Sequence, residues 1–341
     1  MKITIKDIAD RAGVSKATVS RVLNNSKPVS EDVRNKVLKV IEKTNFKPNA
    51  VARSLSLKKS HLIGIILPDL SNPVFSRIIS GIENYIRDKD YSLLITATDF
   101  NADMKIQHIR ILKDKGVDGL ILVTDHGNDE FHEELLNFKK PVVMIGSDSA
   151  IETIPVVKID NYRAASEATQ YLLDLGHQRI AMIRGPLTDP HSGMERYEGF
   201  KNTMESKELF DPDLIVEGWY SFDDGYKGMT SLLKQKNAPS AVFCACDLLA
   251  IGAMKCALEQ GYRVPEEIAF IGFDDVEMSR MYNPSLSTIR QPFEEKGKLA
   301  VRQLIEMLER PAGEVNPELM KSHTLTHRLI VRQSTEKSHG R

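Results

Sequence analysis

Lys16, Ala17, Thr18, Ser20 and Arg21 lie within six residues near the start of the chain, in KATVSR. The set combines two cations, two hydroxyls and one methyl group. It suits hydrogen bonding to phosphate oxygens and base edges rather than making or breaking a covalent bond. No bond-making constellation follows. The chain has neither the G-x-x-x-x-G-K-[ST] phosphate loop nor the G-x-S-x-G nucleophile turn. Its three cysteines, Cys244, Cys246 and Cys256, have no Cys/His partners at zinc-binding spacing. Cys244 and Cys246, in the apolar run AVFCAC, read as small buried side chains on opposite faces of a strand. No metal and no cofactor is expected, and the chain does not read as an enzyme.

Thr4 followed by Asp7 marks a helix start, because the hydroxyl caps backbone N–H groups and the acid suits the positive helix end. Ile5, Ile8, Ala9 and Ala12 then repeat at helical spacing, and Gly13 stops the helix. Ser15 caps a second helix over 17–24 with Val19, Val22 and Leu23 inward, leaving the basic run outward at its N-terminal end. Two short helices joined by a glycine turn make a helix-turn-helix, whose second helix enters a DNA major groove. Ser30 caps a third helix with Val33, Val37, Val40 and Ile41 inward, closing a very small core. Charge agrees with this division. Residues 1–60 hold 14 Lys/Arg against 5 Asp/Glu, a net of +9, while the remainder holds 32 against 42, a net of −10. A polyanion-binding head on an acidic body is implied.

The body alternates apolar strand-like runs with amphipathic helical ones. LIGIILPD, YSLLITAT, DGLILVT and PVVMIG are separated by stretches such as FSRIISGIENYIRDK, and RIAMIRGP, AVFCACD and IAFIGFDD continue the series. The pattern predicts two doubly wound α/β lobes with parallel sheets and ligands at the strand C-terminal ends. No apolar run approaches the ~20 residues needed to span a bilayer. MKITIKDIAD carries charges where a signal peptide would be apolar, so a cytoplasmic location is expected.

The segments TIKDIADRAGVSKATVSRVLNN and KPNAVARSLSLKKSHLIGIILPD resemble the LacI family of bacterial transcriptional regulators along almost the whole chain. The resemblance implies a helix-turn-helix domain over about 1–48 and a hinge helix and linker over about 49–60. An effector-binding and dimerisation body then covers about 61–341, with lobes like those of periplasmic sugar-binding proteins. The N-lobe would be about 61–160 and 292–321, the C-lobe about 161–291 and 322–335, with crossings near Asp160, Gln291 and Leu319–Thr324. By position, Lys16, Ala17 and Arg21 fall where members read bases, Arg21 as a two-pronged donor to guanine. Lys16 either reads a base or holds a phosphate. Thr4, Ser15, Thr18, Ser20 and Asn24 fall among backbone contacts. Asn49, Ala52, Arg53 and Leu55 fall in the hinge, where family members wedge a leucine into the minor groove. Here that leucine is Leu55, with ordinary packing of the hinge as its alternative role.

The same resemblance places effector contacts at Asn72, Phe75, Asp148, Arg196, Tyr220, Asp247, Asp274 and Gln291. Trp219 is the alternative to Tyr220, Asp274 has a turn or cap role as its alternative, and Phe293 either lines the cleft or packs beneath it. Pro190 replaces a second arginine of purine-responsive members, Val74 stands where an aromatic is expected, and IGSDS lacks an aromatic after VVM. A purine is therefore disfavoured, and a sugar or sugar derivative fits the arginine, acids and aromatics. Useful specificity needs two half-sites, so a homodimer on a pseudo-palindromic operator is expected. The polar tail RQSTEKSHGR has no leucine repeat to build a tetramer. Two other readings are a regulator controlled by a protein partner and a sugar-binding protein or sugar enzyme with an incidental basic head.

Overall fold

The computed structural model describes residues 3–24, 28–44, 46, 59–123, 128–146, 148–310 and 317–336. It divides into two compact units, Met1–His61 and Leu62–Arg341. In the first, helix α1 (Ile5–Ala12) opens with a reciprocal cap. Thr4 Oγ1 accepts from Asp7 N at 3.4 Å, and Thr4 N donates to Asp7 Oδ2 at 2.9 Å. The Thr4 hydroxyl also donates to Asp7, which holds the Asp7 carboxyl below its ordinary range. Gly13 ends the helix at φ 67°, a left-handed conformation that costs a side chain with Cβ about 1 kcal/mol or more. Helix α2 (Lys16–Asn24) starts on Ser15, whose Oγ accepts from Thr18 N at 3.1 Å. With α3 (Glu31–Thr44) it buries Ile8, Ala9, Val19, Val22 and Val37. Phe46, just past α3, completes this core.

The second unit contains two six-stranded sheets. One orders β11 (His323–Leu325), β5 (Val156–Ile159), β4 (Val142–Ile145), β3 (Gly119–Val123), β1 (Leu62–Leu67) and β2 (Ser92–Ala97), all parallel. The other orders β12 (Arg328–Ile330), β10 (Ser287–Arg290), β9 (Ala269–Asp274), β8 (Ala241–Cys244), β6 (Ile180–Arg184) and β7 (Ile215–Glu217). It is parallel except where β12 runs against β10. Central strands are buried along their length, as LIGIIL in β1 and AFIGFD in β9 show, because helices cover both faces. Helices α4 (Pro73–Ile86), α5 (Ala102–Asp114) and α6 (Asp129–Phe138) belong to the first lobe. The second lobe holds α7 (Asn161–Asp174), α8 (Arg196–Glu205), α9 (Phe222–Leu233), α10 (Asp247–Glu259) and α11 (Glu277–Met281). Helix α12 (Phe293–Leu308) returns to the first lobe and packs on α4. Both lobes are doubly wound α/β layers, as the alternation predicted. No described helix is long and apolar enough to cross a membrane.

The chain passes between lobes after β5, after β10 and between β11 and β12. The last passage falls at Thr326–His327, later than the expected Leu319–Thr324, because His323–Leu325 pairs with Val157–Ile159 in the first sheet. HTLTHRLI alternates without a break between its two short strands, so the pattern does not show which sheet takes which half.

Two glycines set the α4–α12 distance. A Cβ on Gly81 would lie 2.0 Å from Glu294 O, and one on Gly297 would lie 2.1 Å from Ile78 O. Backbone cannot yield as a side-chain tip can. Gly297→Ala is expected to lower the unfolding free energy by about 1–3 kcal/mol despite the better helix former. Urea unfolding checks this, and a stabilised variant would contradict it.

Candidate functional site

On α2, Val19 and Val22 face the core, which turns Lys16, Ala17 and Arg21 to solvent. Thr18 and Ser20 are half-buried beside them. Ser15 Oγ lies 2.9 Å from Thr18 Oγ1, so the two hydroxyls stiffen the start of this helix. Thr4 is engaged in the α1 cap. The side chain of Asn24, and the whole of Asn49, Ala52, Arg53 and Leu55, lie outside the described residues.

Between the lobes of the second unit lies a cavity of about 720 Å³, measured to its open mouth. Strand ends build it. Pro68 follows β1, Val123 ends β3, Ile145 ends β4, Cys246 follows β8 and Asp274 ends β9, all lining it. Asn72 caps α4, accepting from Val74 N at 3.0 Å, and so aims Phe75 and Ile78 into the cavity. Phe100 and Phe293 add apolar walls.

Arg196 sits at the start of α8, after a π-helical turn, Pro190–Glu195. It is 4% exposed, and its fork is held from several sides. Nε donates to Asn161 Oδ1 at 2.9 Å and Nη1 to Ala245 O at 2.6 Å. The guanidinium lies 3.7 Å from the Phe273 ring centroid, and Nη2 is 3.9 Å from Asp274 Oδ1. Asp274 Oδ1 also accepts from Gln291 Nε2 at 2.7 Å, and Gln291 Oε1 accepts from Lys296 Nζ at 2.5 Å. Arg196, Asp274, Gln291 and Lys296 thus form one buried polar chain across both lobes. Burial raises the Asp274 carboxyl, opposed by Arg196. Burial, with Arg196 adding to it, lowers the Lys296 ammonium to about 7. Asp274 and Asp275 have positive φ, 114° and 56°, an uncommon backbone held by ties to Asp275. Its carboxylate accepts from Arg290 and Arg332 at 2.5 and 2.6 Å, and its carbonyl from Arg77 of the other lobe at 3.2 Å.

Tyr220, with φ 59°, projects into the cavity and donates its hydroxyl to Asp189 Oδ2 at 2.7 Å. Burial, then the Asp189 charge, pushes the phenol well above its ordinary range. Asp189 Oδ1 caps the π-turn through His191 N and Ser192 N at 3.1 and 3.0 Å. Trp219 lies outside this lining, 56% exposed, with its ring edge-on to Phe100 of the other lobe at 6.3 Å.

Two expected contacts are not brought to the cavity. Asp247, the first residue of α10, is fully buried beneath it. Its carboxylate accepts from Val276 N at 2.8 Å, Ser279 Oγ at 2.7 Å and Thr288 Oγ1 at 2.5 Å, fastening α10 to the segments after β9 and in β10. Burial pushes it up to about 8. Asp148 turns its side chain to solvent and pairs with Lys158 at 2.5 Å, while its backbone N–H donates to His191 Nε2 across the lobes at 3.1 Å. Asn72, Phe75, Arg196, Tyr220, Asp274, Gln291 and Phe293 do converge. Cys246 precedes α10 instead of facing away from Cys244 within a strand, because β8 ends at Cys244.

Asn161, Asp189, Ser192, Phe100 and Lys296 line the cavity without having been expected. Lys296 left a signal, since it falls between Phe293 and Ala300 at helical spacing on the apolar stripe of α12. Asp148, His191 and Glu195 bring one possible ligand atom each within 4.8 Å of one another. Asp148 is paired with Lys158, and both His191 nitrogens are bonded, Nε2 from Asp148 N and Nδ1 to Glu195 Oε1. These bonds make the group a hydrogen-bonded strap between the lobes.

Residues 4–49 match the model for bacterial regulatory proteins of the lacI family, and residues 169–335 match the periplasmic binding protein-like domain. Catabolite control protein A of Priestia megaterium is 36% identical over 337 residues, covering 98% of this chain and all of that protein. The lac repressor dimer bound to operator and an anti-inducer superimposes with a TM-score of 0.86 at 27% identity, covering 98% of this chain and 99% of that one. The transcriptional regulator CelR in complex with cellobiose gives 0.73 at 27% identity, covering 97% and 99%. The chain carries the DNA-binding domain and the ligand-binding body of a transcriptional regulator and is not an enzyme; it belongs to the lacI family of bacterial regulatory proteins.

Proposed function

We propose that the chain is a repressor that binds a pseudo-palindromic operator as a homodimer and is controlled by a sugar or sugar derivative in the inter-lobe cavity. The buried chain Arg196–Asp274–Gln291 beneath Phe75, Tyr220 and Phe293 carries the effector reading. Aromatic faces take the C–H surfaces of a sugar ring, and fixed polar groups take its hydroxyls. The likeness to a regulator solved with cellobiose supports a carbohydrate. Lys16, Ala17 and Arg21 would read each half-site, and Leu55 would mark the centre between the half-sites.

Control follows from differential affinity. Phe100 on Trp219, Asp148 N on His191 and Arg77 on the Asp275 carbonyl join the two lobes in the present arrangement. A ligand seated between the lobes favours this arrangement and shifts the population of the operator-binding form. Selecting duplexes from a random pool across a salt series tests the DNA side. Enrichment of a two-fold-symmetric site is expected, and binding that follows salt alone would refute it. Sugars added to the purified operator complex test the effector side.

A further inference from the structure

Among the described residues, the charged groups that line the cavity are Asp189, Arg196, Asp274 and Lys296. Arg196 faces Asp274 at 3.9 Å. Asp189 is opposed by Lys105, whose ammonium it attracts from the other side of the cleft. Arg77, on α4, has Glu294 at 3.8 Å. Lys296, 3% exposed and lining the cavity, makes no ion pair among the described residues, and the one carboxylate that attracts it, Asp274, is already faced by Arg196. Among the described residues its ammonium makes one hydrogen bond, to the neutral amide oxygen of Gln291, and otherwise rests 5.3 Å from the Phe293 ring centroid. An ammonium has three donors, so two remain for whatever enters. Buried cations are normally paired, and a protein stripped of the partner drives such a group toward its neutral form. Burial does so here.

We propose that the effector is a sugar acid whose single carboxylate binds Lys296 Nζ, with its hydroxyls on Arg196, Asp274 and Tyr220. This rests on the reading of the cavity as the effector site. A neutral sugar would leave the buried ammonium uncompensated. A sugar phosphate brings a charge of about −1.5 to −2, more than the one spare cation balances, between Asp189 and Asp274. The carboxylate restores the charged ammonium, so binding takes up a proton when the pH lies above about 7. The other charged groups facing Lys296 are Arg196 and Asp274, with Asp189 across the cavity.

Calorimetry on the full chain tests this with gluconate, galactonate and glucuronate against glucose, galactose and glucose 6-phosphate. At least one acid is expected to bind about 30-fold or more tighter than its neutral counterpart. Lys296→Met and Lys296→Gln should both lose that margin, and buffers of different ionisation enthalpy should report proton uptake at pH 8. Two substitutions guard against a folding defect, and each variant is first checked by thermal melting. A neutral sugar that binds tighter than the acids and is indifferent to Lys296→Met overturns the charge assignment and leaves the cavity as the effector site. Preference for glucose 6-phosphate overturns the single carboxylate. No binding of any probe overturns this proposal together with the carbohydrate reading.

Discussion

Arg21→Ala is expected to weaken operator binding by about 30-fold to 10⁴-fold while leaving the head folded. Arg21 is exposed on α2, on the side opposite Val19 and Val22, so its removal takes nothing from the small core. A two-pronged arginine–guanine contact discriminates by about 1–3 kcal/mol. The proposed homodimer would use it twice, so the total is about 2–6 kcal/mol, at roughly 1.4 kcal/mol per tenfold. Fluorescence anisotropy on the selected operator and on random duplex, at one salt concentration, measures both terms. The random duplex should lose only the contribution of a phosphate-facing charge. Equal losses on the two duplexes would make Arg21 a phosphate contact and remove it from base reading.

Arg196→Ala lowers the unfolding free energy of the body by about 3–5 kcal/mol, the usual consequence of removing one partner of a buried charged pair. The substitution strips Asn161 Oδ1 and Ala245 O of donors and leaves Asp274 without its nearest cation. The defect should depend on pH. Asp274 is already raised in the folded protein, and losing arginine raises it further. A carboxyl raised on folding destabilises the folded state as the pH climbs from its unfolded value toward its folded one. The deficit against the parent chain should therefore be smaller at pH 5 than at pH 8, measured by urea unfolding at both. A pH-independent loss below about 1 kcal/mol would mean that Arg196 is not structurally coupled to Asp274. The effector response of this variant has to be judged where it remains folded.

The sheets were legible because buried parallel strands are written as unbroken apolar runs, and the head because caps and a stopping glycine punctuate it. Thr4, Gly13 and Ser15 act within a few residues of themselves, so local spacing reveals them. The cavity was legible in part. Arg196, Tyr220, Asp274 and Gln291 stand at element ends, where α/β folds gather ligands. Asp247 stands at such an end too, yet turns under the site. Its direction depends on Ser279 and Thr288, more than thirty residues away, which no local pattern reports. Lys296 looks like one more charge in EEKGK, and only the packing of α12 on α4 makes it a buried one. Asp148 was drawn off by Lys158, ten residues along, a pairing that outcompetes the cleft for an exposed carboxylate.

Trp219 is the chain's single tryptophan, and it meets Phe100 from the opposite lobe. Indole emission shifts with the water around the ring, so the protein carries its own optical gauge of lobe separation. Ligands that draw the lobes together or part them should move that emission without any added label. Phe100→Ala should blunt the signal.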